Sequence, residues 1–361
     1  MEPGAQKLYN RAMNRLSPEE RERERSRDIP YPLSLHALAR HFWETGTRQG
    51  WLPPNKEGKP LLMAVSGGGD SVAMLWLFRV FYEGPLVVAH VEHGIRGRSS
   101  EEDAAFVREL AGRWALPFAG RKVSVPTERD RGESLETAAR RVRHRELVSL
   151  ADSNGAWGVA TGHNRDDLAE TALFHILRGT GIRGGVGIPE RNGPFFRPVL
   201  GLRRGFLREI LHVRGLEWRE DETNGDTSCT RNLIRLEILP LLERRVNAEA
   251  AQHIADFAED IAQWRDEEEG RGKALLESAL MDENGGGLTL RRKTVAEFSP
   301  FERRLVLREA GRRMGLPTLS RRRMEEFSDL IRHKHPFTFQ WKRGAEVIGR
   351  GGMLRWSPKN C

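Results

Sequence analysis

Three groups of residues have types and spacings suited to chemistry. The first is Ser66-Gly67-Gly68-Gly69-Asp70-Ser71, inside the string MAVSGGGDSVAMLWLF. Consecutive glycines are costly to order and pack nothing, so three in a row imply a backbone that something must approach closely. An apolar run precedes them and a helix-like run follows. A helix start offers free N–H groups and about half a positive charge, which suits an anion such as a phosphate; Ser66 and Ser71 add hydroxyl donors. The Gly-Lys-Ser/Thr ending of a Walker A loop is missing, as is GxGxxG spacing.

The second group is Asp167, Glu170, Thr171 and Phe174, at i, i+3, i+4 and i+7, beside an apolar stripe of Leu168, Ala172, Leu173 and Ile176. A carboxylate-rich stripe bordering a core suits Mg²⁺ or an incoming amine. His163 precedes it and faces the same mouth. The third group is cationic. It holds Arg231, Asn232 and Arg235 of RNLIR, and Arg140, four residues after Glu136 on one helix face. The Glu136–Arg140 spacing is equally that of a surface ion pair worth under about 1 kcal/mol.

The elements that must position these groups alternate. Strands are expected at Leu61–Val65, Leu86–Val91, Val123–Val125 and Gly158–Thr161. Helices are expected at Ser71–Tyr82, Glu101–Trp114, Ser134–Asp152 and Asp166–Leu177. Such alternation means βαβ units and a parallel, Rossmann-like sheet, an α/β fold whose ligands bind at the carboxyl ends of the strands. Both the glycine string and the acidic stripe fall at such ends. Thr180–Gly187 reads as a loop. Val246–Leu280 reads as long helix, a basic helical segment follows, and Phe337–Trp356 reads as a closing hairpin. The expected domains are residues 1–33, a solvated helix or disordered extension containing ERERERSRD; residues 34–240, the α/β domain; and residues 241–361, a mostly helical, basic domain.

At 361 residues and 38% hydrophobic composition the chain can bury a sizeable core. The longest apolar run near the glycines, Val72–Phe78, is far short of the roughly 20 residues of a membrane span. The N-terminus has no basic-then-apolar leader pattern, and the cysteines, Cys229 and Cys361, form no CxxC. A cytoplasmic setting without a membrane partner is expected. The formal charge of +8 is uneven: residues 291–361 carry 18 Lys/Arg against 7 Asp/Glu, while residues 241–290 carry 5 against 12. The basic end suits a polyanion.

With its flanking strand and helix, SGGGDS resembles the pyrophosphate-binding loop of the N-type ATP pyrophosphatases. Four further strings narrow the resemblance: His90-Val91-Glu92-His93-Gly94-Ile95-Arg96, Leu135-Glu136-Thr137-Ala138-Ala139-Arg140, Thr161-Gly162-His163-Asn164-Arg165-Asp166-Asp167-Leu168-Ala169-Glu170-Thr171, and Trp218-Arg219-Glu220-Asp221-Glu222-Thr223-Asn224 with Arg231-Asn232-Leu233-Ile234-Arg235. Together they resemble the tRNA(Ile)-lysidine synthetase family over about residues 60–240, and more loosely beyond. That family attaches lysine to C2 of the wobble cytidine of isoleucine tRNA with a CAU anticodon.

The resemblance implies adenylation of the cytidine oxygen by ATP, then attack of the lysine amine at C2 with loss of AMP. It implies ATP and Mg²⁺ as cofactors, and isoleucine tRNA and L-lysine as partners. A homodimer is an assembly familiar in the family. Ser66, Gly67, Gly68, Gly69, Asp70 and Ser71 would hold the phosphates, with His93 and Arg96 in the nucleotide set and Asp70 placing Mg²⁺. Asp167 and Glu170 would grip the amine, one of them acting as base. Arg140 and His163 would steady phosphate or developing charge, and Arg231, Asn232 and Arg235 would guide the anticodon loop. Cys229 departs from the family's usual aromatic residue. One C-terminal domain is expected where many members carry a second, and the first 30 residues match no family pattern. A thiolase on the same loop generally needs cysteine pairs, which are lacking. A non-catalytic, nucleotide-dependent RNA-binding protein would have a damaged loop or stripe, and both are intact. A small-molecule amidating synthetase leaves the basic end unexplained.

Overall fold

The computed structural model describes all residues except 1, 26–28, 53, 55–56, 95–97, 180–184, 221–226, 228, 284–286, 334, 342–344 and 358–361. The chain forms two compact units, Met1–Glu259 and Asp260–Cys361.

The first unit is built on a six-stranded sheet: β1 (Leu61–Ala64), β2 (Leu86–Glu92), β3 (Phe118–Lys122), β4 (Gly158–Thr161), β5 (Arg191–Asn192) and β6 (Phe195–Phe196), in the order β3-β2-β1-β4-β6-β5. All neighbours are parallel except β5 and β6. β1 and β2 read as near-continuous apolar runs because both faces are covered. One face packs on α4 (Gly69–Phe81), whose Val72, Met74, Trp76 and Phe78 are buried, and the other on α6 (Leu135–Ser153) through Leu147 and Leu150. The strand order reverses between β1 and β4, so the crevice between their carboxyl ends is the switch point where ligands bind in such sheets.

Three expectations are corrected. The third strand lies at 118–122 rather than 123–125. It is an edge strand with exposed polar residues and so a faint apolar signal, whereas Pro126 turns the Val123–Val125 run into a 3₁₀ turn. The extension is solvated only in part: Ser17, Pro18, Glu19 and Glu22 are exposed, but α1 (Pro3–Arg15) buries Ala5, Leu8 and Ala12, and Leu16 follows them into the core. Its stripe is partly alanine, which a polar composition hides. Arg15 donates to the carbonyls of Arg79 (2.9 Å) and Tyr82 (2.5 Å), and Glu20 of α2 (Pro18–Arg25) pairs with Arg79 at 3.2 Å. The first unit also continues past Pro240: Leu239, Ala251, Ala255 and Ala258 cover Leu168, Ala169 and Ala172 of α7 (Arg165–Leu177), the apolar side of the acidic helix. Leu173 is partly buried there, while Ile176, counted in the apolar stripe, is exposed.

In the second unit the expected hairpin, β10 (Glu346–Arg350) with β11 (Met353–Ser357), belongs to an antiparallel sheet completed by β7 (Leu280–Asp282), β8 (Leu288–Arg291) and β9 (Phe337–Gln340). Helices Pro300–Arg313 and Arg321–Arg332 pack on it around Phe327 and Trp356.

Candidate active site at the switch point of the sheet

β1 ends at Ala64, and residues 65–68 turn the chain into α4. Gly67 has φ +98°, a conformation that side chains resist, which is why a glycine stands there. The turn is braced by its own serines: Ser71 Oγ donates to the Gly68 carbonyl (2.9 Å) and accepts from the Ser66 N–H (3.2 Å). The N–H groups of Gly69 and Asp70 occupy the first helical turn, where no intrahelical acceptor exists. Trp218 flanks the loop, its ring within 3.4 Å of where a Gly69 Cβ would lie, and the Arg219 N–H donates to the Gly67 carbonyl at 3.0 Å. Arg219 is held by Asp103 and Glu102. From below, buried His90 contacts the Val65 carbonyl through Nδ1 at 2.8 Å, and burial lowers its affinity for a proton.

β4 brings the second half. Gly162 leaves room for the loop, since a Cβ there would sit 2.9 Å from Ser71 Cα. Asn164 then caps α7 in a reciprocal box: its Oδ1 accepts from the Asp167 N–H (2.9 Å), and its own N–H donates to Asp167 Oδ2 (3.0 Å). That box fixes one Asp167 oxygen and leaves Oδ1 pointing at the cations. Glu170, one turn on, is 1% exposed.

Asp70, Asp167 and Glu170 converge on Arg204, the first residue of α8 (Arg204–His212). Arg204 Nη2 donates to Glu170 (2.9 Å) and Asp167 (3.2 Å), and its Nε lies 3.7 Å from Asp70. Arg231 reaches Asp167 and Glu170 at 3.4 Å each, and Arg235 reaches Glu170 at 3.8 Å. Burial raises the Asp70 carboxyl to about 6, with Arg204 opposing and the Asp167 charge adding. Burial also acts to raise Asp167, but Arg231 and Arg204 outweigh it and hold that acid below its ordinary value. Glu170 is raised, by burial and then by the Asp167 charge. Burial pulls His163 down to about 3, so it is neutral; its Nδ1 meets Thr161 Oγ1 at 3.0 Å.

The structure therefore brings together Ser66, Gly67, Gly68, Gly69, Asp70, Ser71, His163, Asp167, Glu170, Arg231 and Arg235. Asn232 is half-buried on the same short helix as Arg231, Thr230–Leu233. His93 follows β2, at the same end of the sheet. Arg140 is exposed on α6, where its charge lowers the proton affinity of Arg197 and His144. Arg96 and residues 221–224 lie outside the described residues, as does the side chain of Glu136. The residue that sequence reasoning missed is Arg204. Its signal is a cation at a helix N-terminus, where the dipole disfavours it, so an acidic partner is required.

Among the described residues no cluster of three or more His, Cys, Asp or Glu could hold a metal alone. Asp70 Oδ1 is buried and accepts no hydrogen bond from them. One such carboxylate beside a helix start suited to an anion fits Mg²⁺, which takes one or two carboxylates with substrate phosphates.

Residues 44–242 match the family model of the PP-loop domain, an ATP-using family. The tRNA(Ile)-lysidine synthase of Chlorobaculum tepidum is 32% identical over 307 residues, 83% of this chain and 91% of that protein. The chain belongs to the tRNA(Ile)-lysidine synthase family. The enzymes of that name from Thermus thermophilus and Geobacter sulfurreducens are 45% and 38% identical, over 62% and 66% of this chain. The chain spans about half of those relatives' length, 42% and 52%. Among solved structures, the U34-tRNA thiolase NcsA of Methanococcus maripaludis, with its [4Fe-4S] cluster, has a TM-score of 0.51 at 16% identity, over 64% of this chain and 81% of that one. That likeness is one of fold. No helix among the described residues is long and apolar enough to cross a membrane.

Proposed function

We propose that the chain ligates L-lysine to C2 of the wobble cytidine of isoleucine tRNA with a CAU anticodon, consuming ATP through an adenylated cytidine. The observation that carries this is the meeting of a glycine turn suited to an anion with Asp70, Asp167 and Glu170 across one crevice. The turn is suited to outgoing pyrophosphate: Gly67 lets the backbone approach, Gly68 and Gly69 keep it bare, and Ser66, Ser71 and the start of α4 supply donors. Asp70 would hold Mg²⁺, which supplies charge neutralisation to the phosphates. Neutral His163 would donate or accept a hydrogen bond without adding charge.

The lysine amine, with a reference pKa near 10.4, costs about 4.6 kcal/mol to deprotonate at pH 7. Asp167, clamped by the capping box and held ionised by its arginines, is suited to orienting the amine. Glu170, buried and raised, is suited to accepting the proton. The base must leave its stack to reach this crevice. Arg231, Asn232 and Arg235 would meet the anticodon loop, Arg140 would steady phosphate, and the basic residues after 291 would hold RNA.

The test supplies ATP, Mg²⁺ and labelled lysine with isoleucine tRNA bearing CAU, and with methionine tRNA as control. Label entering only the former is expected. Label in neither, with the protein folded and ATP bound, overturns the proposal.

A further inference from the structure

We propose that Arg204 is the fixed member of a set of arginines that offsets the acidic pair's charge, so that the crevice passes the substrate amine's extra proton to Glu170 and presents the amine in its neutral, nucleophilic form. This rests on the lysine-transfer reading above and adds a positioning residue to it.

Three carboxylates meet three guanidiniums. Arg204 touches Asp70, Asp167 and Glu170; Arg231 touches the last two, and Arg235 touches Glu170. Arg143 adds positive potential at His163, Arg208 adds it at Asp70, and His163 is itself neutral. The groups facing the crevice among the described residues thus present no excess negative charge to an amine. A site made to grip an ammonium would show unmatched acids. A matched one leaves the extra proton unsupported and drives it towards Glu170.

Arg204 is the built-in member of the three cations. Its backbone N–H donates to Asp166 at 2.7 Å, pinning it at the first turn of α8, and it makes the shortest ion pair of the cluster, 2.9 Å to Glu170. Its side chain is 15% exposed, against 26% for Arg231 and 23% for Arg235. The arginines proposed to meet RNA hold the acids at longer range, and Arg204 is the most deeply seated of the three.

In the step itself, one proton passes from the ammonium to the Glu170 carboxylate. The amine lone pair then forms the N–C2 bond, and the C2–O bond to AMP breaks with its electron pair on the leaving oxygen. The second amine proton goes to water.

The test is lysine transfer by the full chain, with lysine titrated at saturating ATP and tRNA across pH 6 to 10. Arg204→Gln is expected to lower the KM for lysine and also kcat. It should also move the acidic limb of kcat upward, each by on the order of tenfold or about one pH unit, as an unmatched acid pair retains the ammonium. Arg204→Lys, which keeps the charge, should restore most of kcat. A raised KM with an unmoved limb would mean that Arg204 merely shapes the site, and overturns the proposal. If the Gln variant does not fold, the wild-type protein still decides. Its limb must lie well below the amine's ordinary value of about 10.4, and a rate still rising at pH 10 refutes the idea. Failure of the parent reading looks different, since the wild-type protein would then transfer no label at all.

Discussion

Substituting Gly162 by alanine tests whether the close approach of β4 to the glycine turn matters for the proposed chemistry. The added Cβ would lie 2.9 Å from Ser71 Cα, 3.0 Å from its N and 3.2 Å from the Asp70 carbonyl carbon. All three are backbone atoms that no rotamer change can move, and ordinary contact begins at 3.4 Å. The start of α4 must therefore retreat by about half an ångström. Overpacking of this kind costs about 1–3 kcal/mol. A shift towards 1 Å in a reacting group is worth up to about a hundredfold in rate.

The expected result for Gly162→Ala is a modest fall in urea midpoint and a larger loss, roughly 10- to 100-fold, in tRNA-dependent ATP–pyrophosphate exchange. In the proposed reaction, exchange reports the adenylation step, which comes before lysine is needed. Gly270→Ala is the control: it has open space around it in a helix, and alanine there should stabilise by about 0.5–1 kcal/mol without touching exchange. A Gly162→Ala protein with wild-type exchange would refute the argument that the loop's seat on β4 sets its catalytic geometry.

Two further outcomes are expected. Asp167→Asn and Glu170→Gln should each abolish labelled-lysine transfer while ATP is still retained in a filter-binding assay, and full activity in both would remove these acids from the site. Glu302, held down to about 2 by the Ser299 N–H and then by Arg271, contributes stability that is present above its ordinary value near 4.5 and lost as pH falls towards 2. The melting temperature of the wild-type protein should thus drop over that window, whereas Glu302→Gln should show a shallower drop; identical acid profiles would contradict the capping geometry.

The parts legible from sequence were those whose partners lie close along the chain. The glycine turn is contiguous, and its first glycine answers a local need, the positive φ of Gly67. Asp167 and Glu170 share a helix face at i, i+3, so periodicity suffices. Arg204 is 34 residues from Glu170 and reaches it only through the packing of α8, so no spacing rule points to it. The first helix was hidden for another reason: Ala5 and Ala12 are too small to register as an apolar stripe, yet small is what close packing on the core requires. The third strand was misplaced because a solvent-facing edge needs little hydrophobicity.

The segment just beyond α8 has a second anchor. Arg214 is buried against Glu24 at 2.5 Å, donates to the Leu33 carbonyl at 2.8 Å and lies over Trp76, 4.3 Å from its ring. α8, which presents Arg204 to the acids at one end, is thus moored at the other by Glu24 and Leu33. Leu33 and Arg214 lie 181 residues apart along the chain, so this mooring joins stretches that no local spacing brings together. The cation that faces the acidic pair is accordingly braced from both ends of α8, by Asp166 at its start and by the Arg214 contacts beyond its end.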